Sequence, residues 1–350
     1  MYTNIMSLSI KAWAASAQGS HLEQASFPRN NLHSHELLIE VSACGICHSD
    51  IHLIDNDWKI SKYPLAPGHE IIGRIVEKGK QVPEHFKIGS IVGVGWQRSA
   101  CHRCLECLSN RDQMCDKIKA TCVGHPGGFA DYHVTDWQYS FLIPENLQVP
   151  QTAPLLCGGI TVFSPLQMLV PQGGQRVGIV GLGGLGHFAV KFAKAKGYEV
   201  TVFTSSESKK TEAKKLGATH VVSSTNPKEI KAMGPYLDFM LVTANVDLPW
   251  EAYLQALQVD GVLCFVGIPP NNLSINVGSL LGKRRKITAS PIGSRYQIQE
   301  MLEFCSHHQI TAQAEIFSMD KANEALLRVR ENLVRYRAVL VHSSLDGLLN

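Results

Sequence analysis

The 350-residue sequence has no uninterrupted apolar stretch long enough to cross a bilayer. Its first residues, MYTNIMSLSIKAW, lack the basic segment followed by a long apolar one that marks a secretory signal. An excess of charge is missing too. The formal net charge is +3, too small to argue for a nucleic-acid or membrane-surface partner. The one basic run, Lys283, Arg284, Arg285 and Lys286, precedes an apolar stretch and reads as a solvated loop. Internal repeats and low-complexity segments are absent, which sets aside solenoids and disordered chains. With 45% hydrophobic and 18% charged residues, what remains is a folded protein, taken as cytoplasmic. Its length exceeds one ordinary core, so two domains are expected.

Cysteine, by contrast, is plentiful. Ten cysteines in a chain without an export signal point to reduced thiols and metal sites rather than disulfides. Cys101, Cys104, Cys107 and Cys115 follow the spacing C-x2-C-x2-C-x7-C, which brings four thiolates onto one tetrahedral cation. The segment CHRCLECLSNRDQMC is turn-rich and poor in apolar residues, so a chance cluster of core cysteines is the weaker explanation. Such a closed site has no place for water or substrate and reads as a structural zinc.

Up to about residue 155 the chain reads as short strands and turns, with strands at 36–42, 71–77 and 90–94. Beyond Cys157 strands alternate with helices. Strands are expected at 176–180, 199–203, 220–222, 239–243 and 262–266, with helices at 184–196, 207–216 and 250–258. That alternation implies parallel βαβ units in a doubly wound sheet. The tail carries helices at 298–307 and 321–331 with strands near 314–317 and 338–342. Periodicity does not decide whether this tail extends the parallel sheet or returns to the first domain.

Between the expected strand at 176–180 and the helix after it stands Gly181-Leu182-Gly183-Gly184-Leu185-Gly186, which satisfies G-x-G-x-x-G. Alone the motif is weak in a chain with 29 glycines; between a buried strand and a helix it marks a dinucleotide site. The glycines allow a tight turn and close approach of backbone to a pyrophosphate, which the helix amino terminus then faces. At the end of the second strand an NAD site usually carries Asp or Glu for the ribose 2′-hydroxyl. Here Thr204, Ser205 and Ser206 are followed by Lys209 and Lys210, hydroxyls and cations that suit the 2′-phosphate of NADP(H). Glu207 is discordant unless it points outward. A plain serine helix cap with solvated lysines would leave the preference open.

Three scattered residues, Cys47 in CGICHSDIH, His69 in PGHE and Cys157 in PLLCGG, offer two thiolates and an imidazole. Zinc takes this set in alcohol dehydrogenases, with a fourth position left open for chemistry. Singly, each could be an ordinary core residue; the signal is their co-occurrence with the nucleotide fingerprint. The sequence resembles the zinc-dependent medium-chain dehydrogenase/reductase family over nearly its whole length, within it the cinnamyl-alcohol-dehydrogenase-like group. It is most similar to bacterial NADPH-dependent broad-range aldehyde reductases, through CGICHSDIHLIDNDW, YPLAPGHEIIGRIVEKG, VGVGWQRSACHRCLEC, GGFADY and APLLCGGITVFSPL.

The resemblance implies an α/β protein: a GroES-like, mainly-β catalytic zinc domain over 1–157 and 295–350, and an NADP-binding Rossmann domain over 158–294. It implies Cys47, His69 and Cys157 as catalytic zinc ligands, with Glu70 able to enter the coordination sphere. Asp50 would orient His69 from behind. Ser49 and His52 match the family's proton relay, and Arg337 an arginine that meets the cofactor pyrophosphate. Two zinc ions per chain, NADP(H), an aldehyde or primary alcohol as substrate and a homodimer are implied, tetramers also occurring in the family. Leu53, Trp58, Trp96 and the Pro291-Ile292 pair fall near the substrate channel. Plant lignin-pathway members carry a longer segment where this chain has Lys117 to Gly128, which weakens the case for cinnamaldehyde. Two other readings stay open: an NAD-dependent alcohol or polyol dehydrogenase, and a non-catalytic, zinc-stapled nucleotide-binding regulator.

Overall fold

The computed structural model describes residues 9–170 and 175–342; most of the amino-terminal stretch searched for a leader lies outside them. The chain divides into two compact units, one running from Gly158 to Gly293, the other holding everything before and after it.

The inner unit is a six-stranded parallel sheet. Across it the strands run His220–Ser223, Glu199–Thr204, Arg176–Val180, Leu237–Val242, Leu257–Phe265 and Lys286–Ala289. In chain order this is 3-2-1-4-5-6, the doubly wound arrangement whose ligand crevice opens where the order reverses, between the first and fourth strands. Val177, Ile179, Phe239 and Leu241 are fully buried, as strands covered on both faces require. The helix Glu207–Leu216 has the expected bounds: Ser206 stands at its N-cap in an extended conformation, and Gly217 stops it at φ +117°.

Two expectations in this unit change. The helix Trp250–Ala256 hands over directly to a strand that begins at Leu257, not 262. A register shift between Leu237 and Phe239 lets that early pairing start, and nothing in the hydrophobic period announces it. The basic run is an exposed turn with one residue tied into the fold: Arg284, largely exposed, pairs with Asp260 at 2.5 Å, and Arg285 donates to the carbonyls of Leu257 (2.8 Å), Ser279 (2.9 Å) and Gln255 (3.2 Å). It leads into the sixth strand, which was not anticipated because Lys286 opens it.

The outer unit is mainly β. Its sheet orders the strands Ala314–Ser318, Arg337–Val341, Glu36–Ile46, Ile71–Lys78, Ile91–Val94 and Ser140–Leu142, with Tyr132–Asp136 paired to Glu36–Ile46 as well. The tail strand Arg337–Val341 runs antiparallel to Glu36–Ile46, placing Ala338 opposite Ile46. Leu37, Ile39, Ile71, Ile75, Val92 and Leu340 fill the core beneath it. The long Glu36–Ile46 strand thus ends where Cys47 begins, and the tail lies against that end.

Candidate active site and its metal centres

Cys47 is the N-cap of the short helix His48–Ile54, and Asp50 is its third helical residue. Asp50 Oδ2 accepts from Cys47 N at 2.9 Å, while Oδ1 accepts from Gly68 N at 2.8 Å and His69 Nδ1 at 2.9 Å. One buried carboxylate thereby fixes Cys47, the Pro67–His69 turn and the His69 ring together. Because a carboxylate accepts here, Nδ1 carries a proton, and Nε2 is the nitrogen the neutral ring offers as a lone pair to a cation. That buried Nε2 has no hydrogen-bond partner.

Ligand atoms of Cys47, His69, Glu70 and Cys157 all lie within 4.8 Å of one another. Cys157 is delivered by the end of the 3-10 helix Pro150–Leu156. The Cys47 thiol is held well below its usual range, chiefly by a hydrogen bond from Cys157, whose own thiol is pushed up in return. Two sulfurs sharing a proton beside an orphaned imidazole nitrogen are the donors a soft divalent cation displaces protons from. The set therefore fits zinc with three protein ligands and an open place.

Glu70 is fully buried. Burial pushes its carboxyl up to about 7, against the pull of the Arg337 guanidinium. Glu70 Oε1 pairs with Arg337 Nη2, which also donates to Ile46 O at 3.0 Å. Arg337, expected to meet a pyrophosphate, has this Nη2 set against Glu70 by the tail strand.

Ser49 Oγ lies 3.7 Å from Cys47 Sγ. His52, three residues on and so on the same helix face, is half-exposed, and its Nδ1 meets Asp57 Oδ2 at 2.7 Å. Asp57 was not singled out from the sequence; the NDW that follows HLID was the available signal. Rings continue the line: Trp58 packs on His52 (5.3 Å between centroids) and edge-on to Trp96 (5.8 Å), and Trp96 is edge-on to His69 (5.1 Å). Leu53, expected beside the channel, is fully buried in the core instead, because it faces inward from the helix. Cys122, also missed, is buried within ligand distance of Asp50 and His69, behind the ring.

The four clustered cysteines do converge: their sulfurs lie within 4.8 Å of one another, Cys101 and Cys107 at 3.9 Å. Backbone N–H groups point at the sulfurs, from Cys104 to Cys101 and from Lys117 to Cys115, each at 3.4 Å. Those of Arg103 and Cys104 draw the Cys101 thiol down to about 6. Burial instead pushes the Cys107 thiol up to about 12. Four converging sulfurs on a ribbon with left-handed turns at His102 and Asn110 suit a closed four-sulfur zinc site.

In the inner unit the glycine loop has the form a dinucleotide needs. Gly181 turns at φ +98°, and a Cβ on Gly186 would lie 2.1 Å from Gly181 O, so strand and helix touch only because both are glycine. A Cβ on Gly183 would meet nothing within 4 Å: its face is open space at the start of the helix Gly186–Ala195, where a pyrophosphate fits. Gly184 and Leu185 complete the turn. At the end of the second strand Thr204 Oγ1 accepts from Ser206 N at 3.3 Å, and Ser206 Oγ meets Ser208 Oγ at 2.8 Å. Ser205 is exposed and Lys209 follows in the first helical turn. Glu207, the one discordant carboxylate, is largely exposed and pairs with Lys210 at 2.7 Å.

Comparison with known proteins agrees with this architecture. Residues 33–145 match the alcohol dehydrogenase GroES-like domain, and residues 184–307 the zinc-binding dehydrogenase model. An aldehyde reductase of Synechocystis is 41% identical over 334 residues, 95% of this chain and 99% of that protein. The 8-hydroxygeraniol dehydrogenase of Catharanthus roseus is 41% identical over 94% of this chain and 93% of its own. Among solved structures, a cinnamyl alcohol dehydrogenase of Sorghum bicolor superposes with a TM-score of 0.89 at 36% identity, covering 95% and 98% of the two chains. The CAD of Helicobacter pylori, solved with NADP(H), gives 0.87 at 34% identity, covering 97% and 99%. At such identity over such coverage the chain belongs to the zinc-dependent medium-chain dehydrogenases, in their cinnamyl-alcohol-dehydrogenase-like group.

Proposed function

We propose that this dehydrogenase is an NADPH-dependent aldehyde reductase acting on apolar aldehydes and, in reverse, on primary alcohols. The observation that carries the reading is the unpartnered His69 Nε2 among the sulfurs of Cys47 and Cys157, with the Ser49–His52–Asp57 series alongside. When bound there, zinc supplies Lewis-acid polarisation of the substrate oxygen, and bound nicotinamide supplies the hydride.

The chain's own residues do the rest. Asp50 holds the His69 ring so that its bare nitrogen faces the ligand place. Ser49 Oγ stands next to Cys47 and gives its proton to the oxygen that hydride transfer has made basic. His52 restores that proton, and Asp57 fixes the ring that does so. Trp58 and Trp96 form an aromatic wall on the approach to His69, which suits aliphatic and aromatic aldehydes and offers little to a sugar. We assign the inner unit to the cofactor, the outer unit to the chemistry, and the four-cysteine lobe to a second, structural zinc.

For the coenzyme, Thr204, Ser205, Ser206 and Lys209 replace the acid that a ribose 2′-hydroxyl calls for, and Glu207 is occupied by Lys210. The CAD of Helicobacter pylori, solved with NADP(H), supports the same choice. Ten cysteines without a disulfide support a cytoplasmic reading, and family resemblance supports a homodimer. Steady-state kinetics over an aldehyde panel with NADPH and NADH test the reading. A kcat/KM at least about tenfold higher with NADPH is expected, from about 1.4 kcal/mol of phosphate contact. Equal efficiency with the two coenzymes would remove the serine–lysine argument.

A further inference from the structure

Gly45 lies next to the last residue of the Glu36–Ile46 strand, two residues before Cys47. Its N–H donates to Glu70 O at 2.9 Å, so the two backbones are pinned side by side. Gly45 is not among the glycines with positive φ, so its backbone does not demand glycine. What it provides is room. A Cβ at this position would stand 2.0 Å from Glu70 Oε2 and 3.1 Å from both Cβ and Cδ of the same side chain. The carboxylate occupies the space that any other residue would fill.

That carboxylate is enclosed. Glu70 is fully buried; Oε1 is held by Arg337, and Oε2 has no hydrogen-bond partner among the described residues. It also lies within the 4.8 Å group formed with Cys47, His69 and Cys157. A buried, half-satisfied carboxylate beside a cation site has a strong pull toward the cation, and something must hold it back.

Resting on the zinc reading of the Cys47–His69–Cys157 group, we propose that Gly45 is a positioning residue: its missing side chain is the recess that parks Glu70 against Arg337 and keeps the fourth ligand place open. With the recess filled, the pinned backbone cannot retreat, and the displaced carboxylate is driven toward the ligand place it already borders. Gly45 then sets how readily substrate or water can take that place, without touching either.

The test uses the holoenzyme with cobalt(II) in the catalytic site, whose visible spectrum reports the ligands, and imidazole as probe for the open position. Gly45→Ala is expected to change the cobalt spectrum before any probe is added and to weaken imidazole binding by about tenfold or more. The double variant Gly45→Ala/Glu70→Ala is expected to restore binding to the level of Glu70→Ala alone. Undiminished imidazole binding in Gly45→Ala, or weakening that persists in the double variant, overturns the proposal. If Gly45→Ala fails to fold and Glu70→Ala rescues it, the collision is established by that rescue. If neither folds, Gly45 serves backbone packing and the proposal falls. A wild-type enzyme that binds no metal at Cys47, His69 and Cys157 would instead sink the zinc reading itself, a separate result from metal analysis.

Discussion

At the scale of single residues, the site rests on which atoms have partners and which do not. Asp50 spends both oxygens on Cys47, Gly68 and His69, and the bare His69 Nε2 is the consequence. Ser49 has a different job, since its hydroxyl touches a ligand sulfur without orienting any ligand. Ser49→Ala should therefore lower kcat by about 10²-fold or more, the usual worth of a positioned proton donor, while zinc content stays at the wild-type level. Asp57→Asn should lower kcat less, because the His52 ring stays in place and loses only its anionic anchor. Kinetics paired with metal analysis check both; a fully active Ser49→Ala enzyme would refute the relay. Cys47, His69 and Cys157 were legible because each sits in an ordered motif. The Arg337–Glu70 pair and the recess at Gly45 were not legible for one reason: Glu70 reaches both only when the tail strand and the Glu36–Ile46 strand close around it.

At the scale of elements, local chemistry was legible and long-range pairing was not. Helix Glu207–Leu216 could be read because its start and its glycine stop are adjacent in sequence. The sixth parallel strand could not, because its basic approach is neutralised by Asp260 and by carbonyls some thirty residues upstream. The segment around the strand Tyr132–Asp136 carries a further consequence for stability. His125 and His133 both donate through Nδ1 to Pro126 O, at 2.9 and 3.1 Å, with rings edge-on at 5.2 Å. Burial, with the nearby Arg98 charge, pushes His125 down to about 4; burial, His125 and Arg98 push His133 well below its usual range. The unfolded chain takes up these protons near pH 6.5, while the folded chain refuses the His125 proton until near pH 4 and resists the His133 proton for the same cause, burial. Stability is thus complete above about pH 6.5 and declines between about 6.5 and 4, by up to about 3 kcal/mol for His125. Urea unfolding at pH 7, 6 and 5 should show the decline, and the double variant His125→Phe/His133→Phe should flatten it. An equally steep decline in the variant would place the acid sensitivity elsewhere.

At the scale of the whole molecule, the two proposed zinc sites differ in what depends on them. The catalytic trio is held by the sheet and its flanking helices, so its frame exists before any metal arrives. The four-cysteine lobe has only a one-turn helix, Leu105–Leu108, and a three-residue turn, Asp112–Met114, between its ligands. Leu105 and Leu108 are largely exposed, so no apolar core replaces the cation. Polar contacts at His102 and Asp112 tie the lobe to the rest of its unit. His102 Nε2 meets Asp136 at 3.1 Å, and buried Asp112 faces Arg295, whose guanidinium stacks 5.1 Å over Tyr139 at the start of the returning tail. Removing one sulfur should therefore unravel the ribbon and loosen Arg295, leaving the Cys47 cluster standing. Wild-type protein is expected to hold two zinc ions per chain and Cys107→Ser one, with a lowered melting temperature. In the fraction that stays folded, turnover per remaining zinc should stay near wild type. If Cys107→Ser keeps both ions, the lobe does not bind metal. If it loses turnover in full while its melting temperature is unchanged, the lobe belongs to the chemistry and not to the frame.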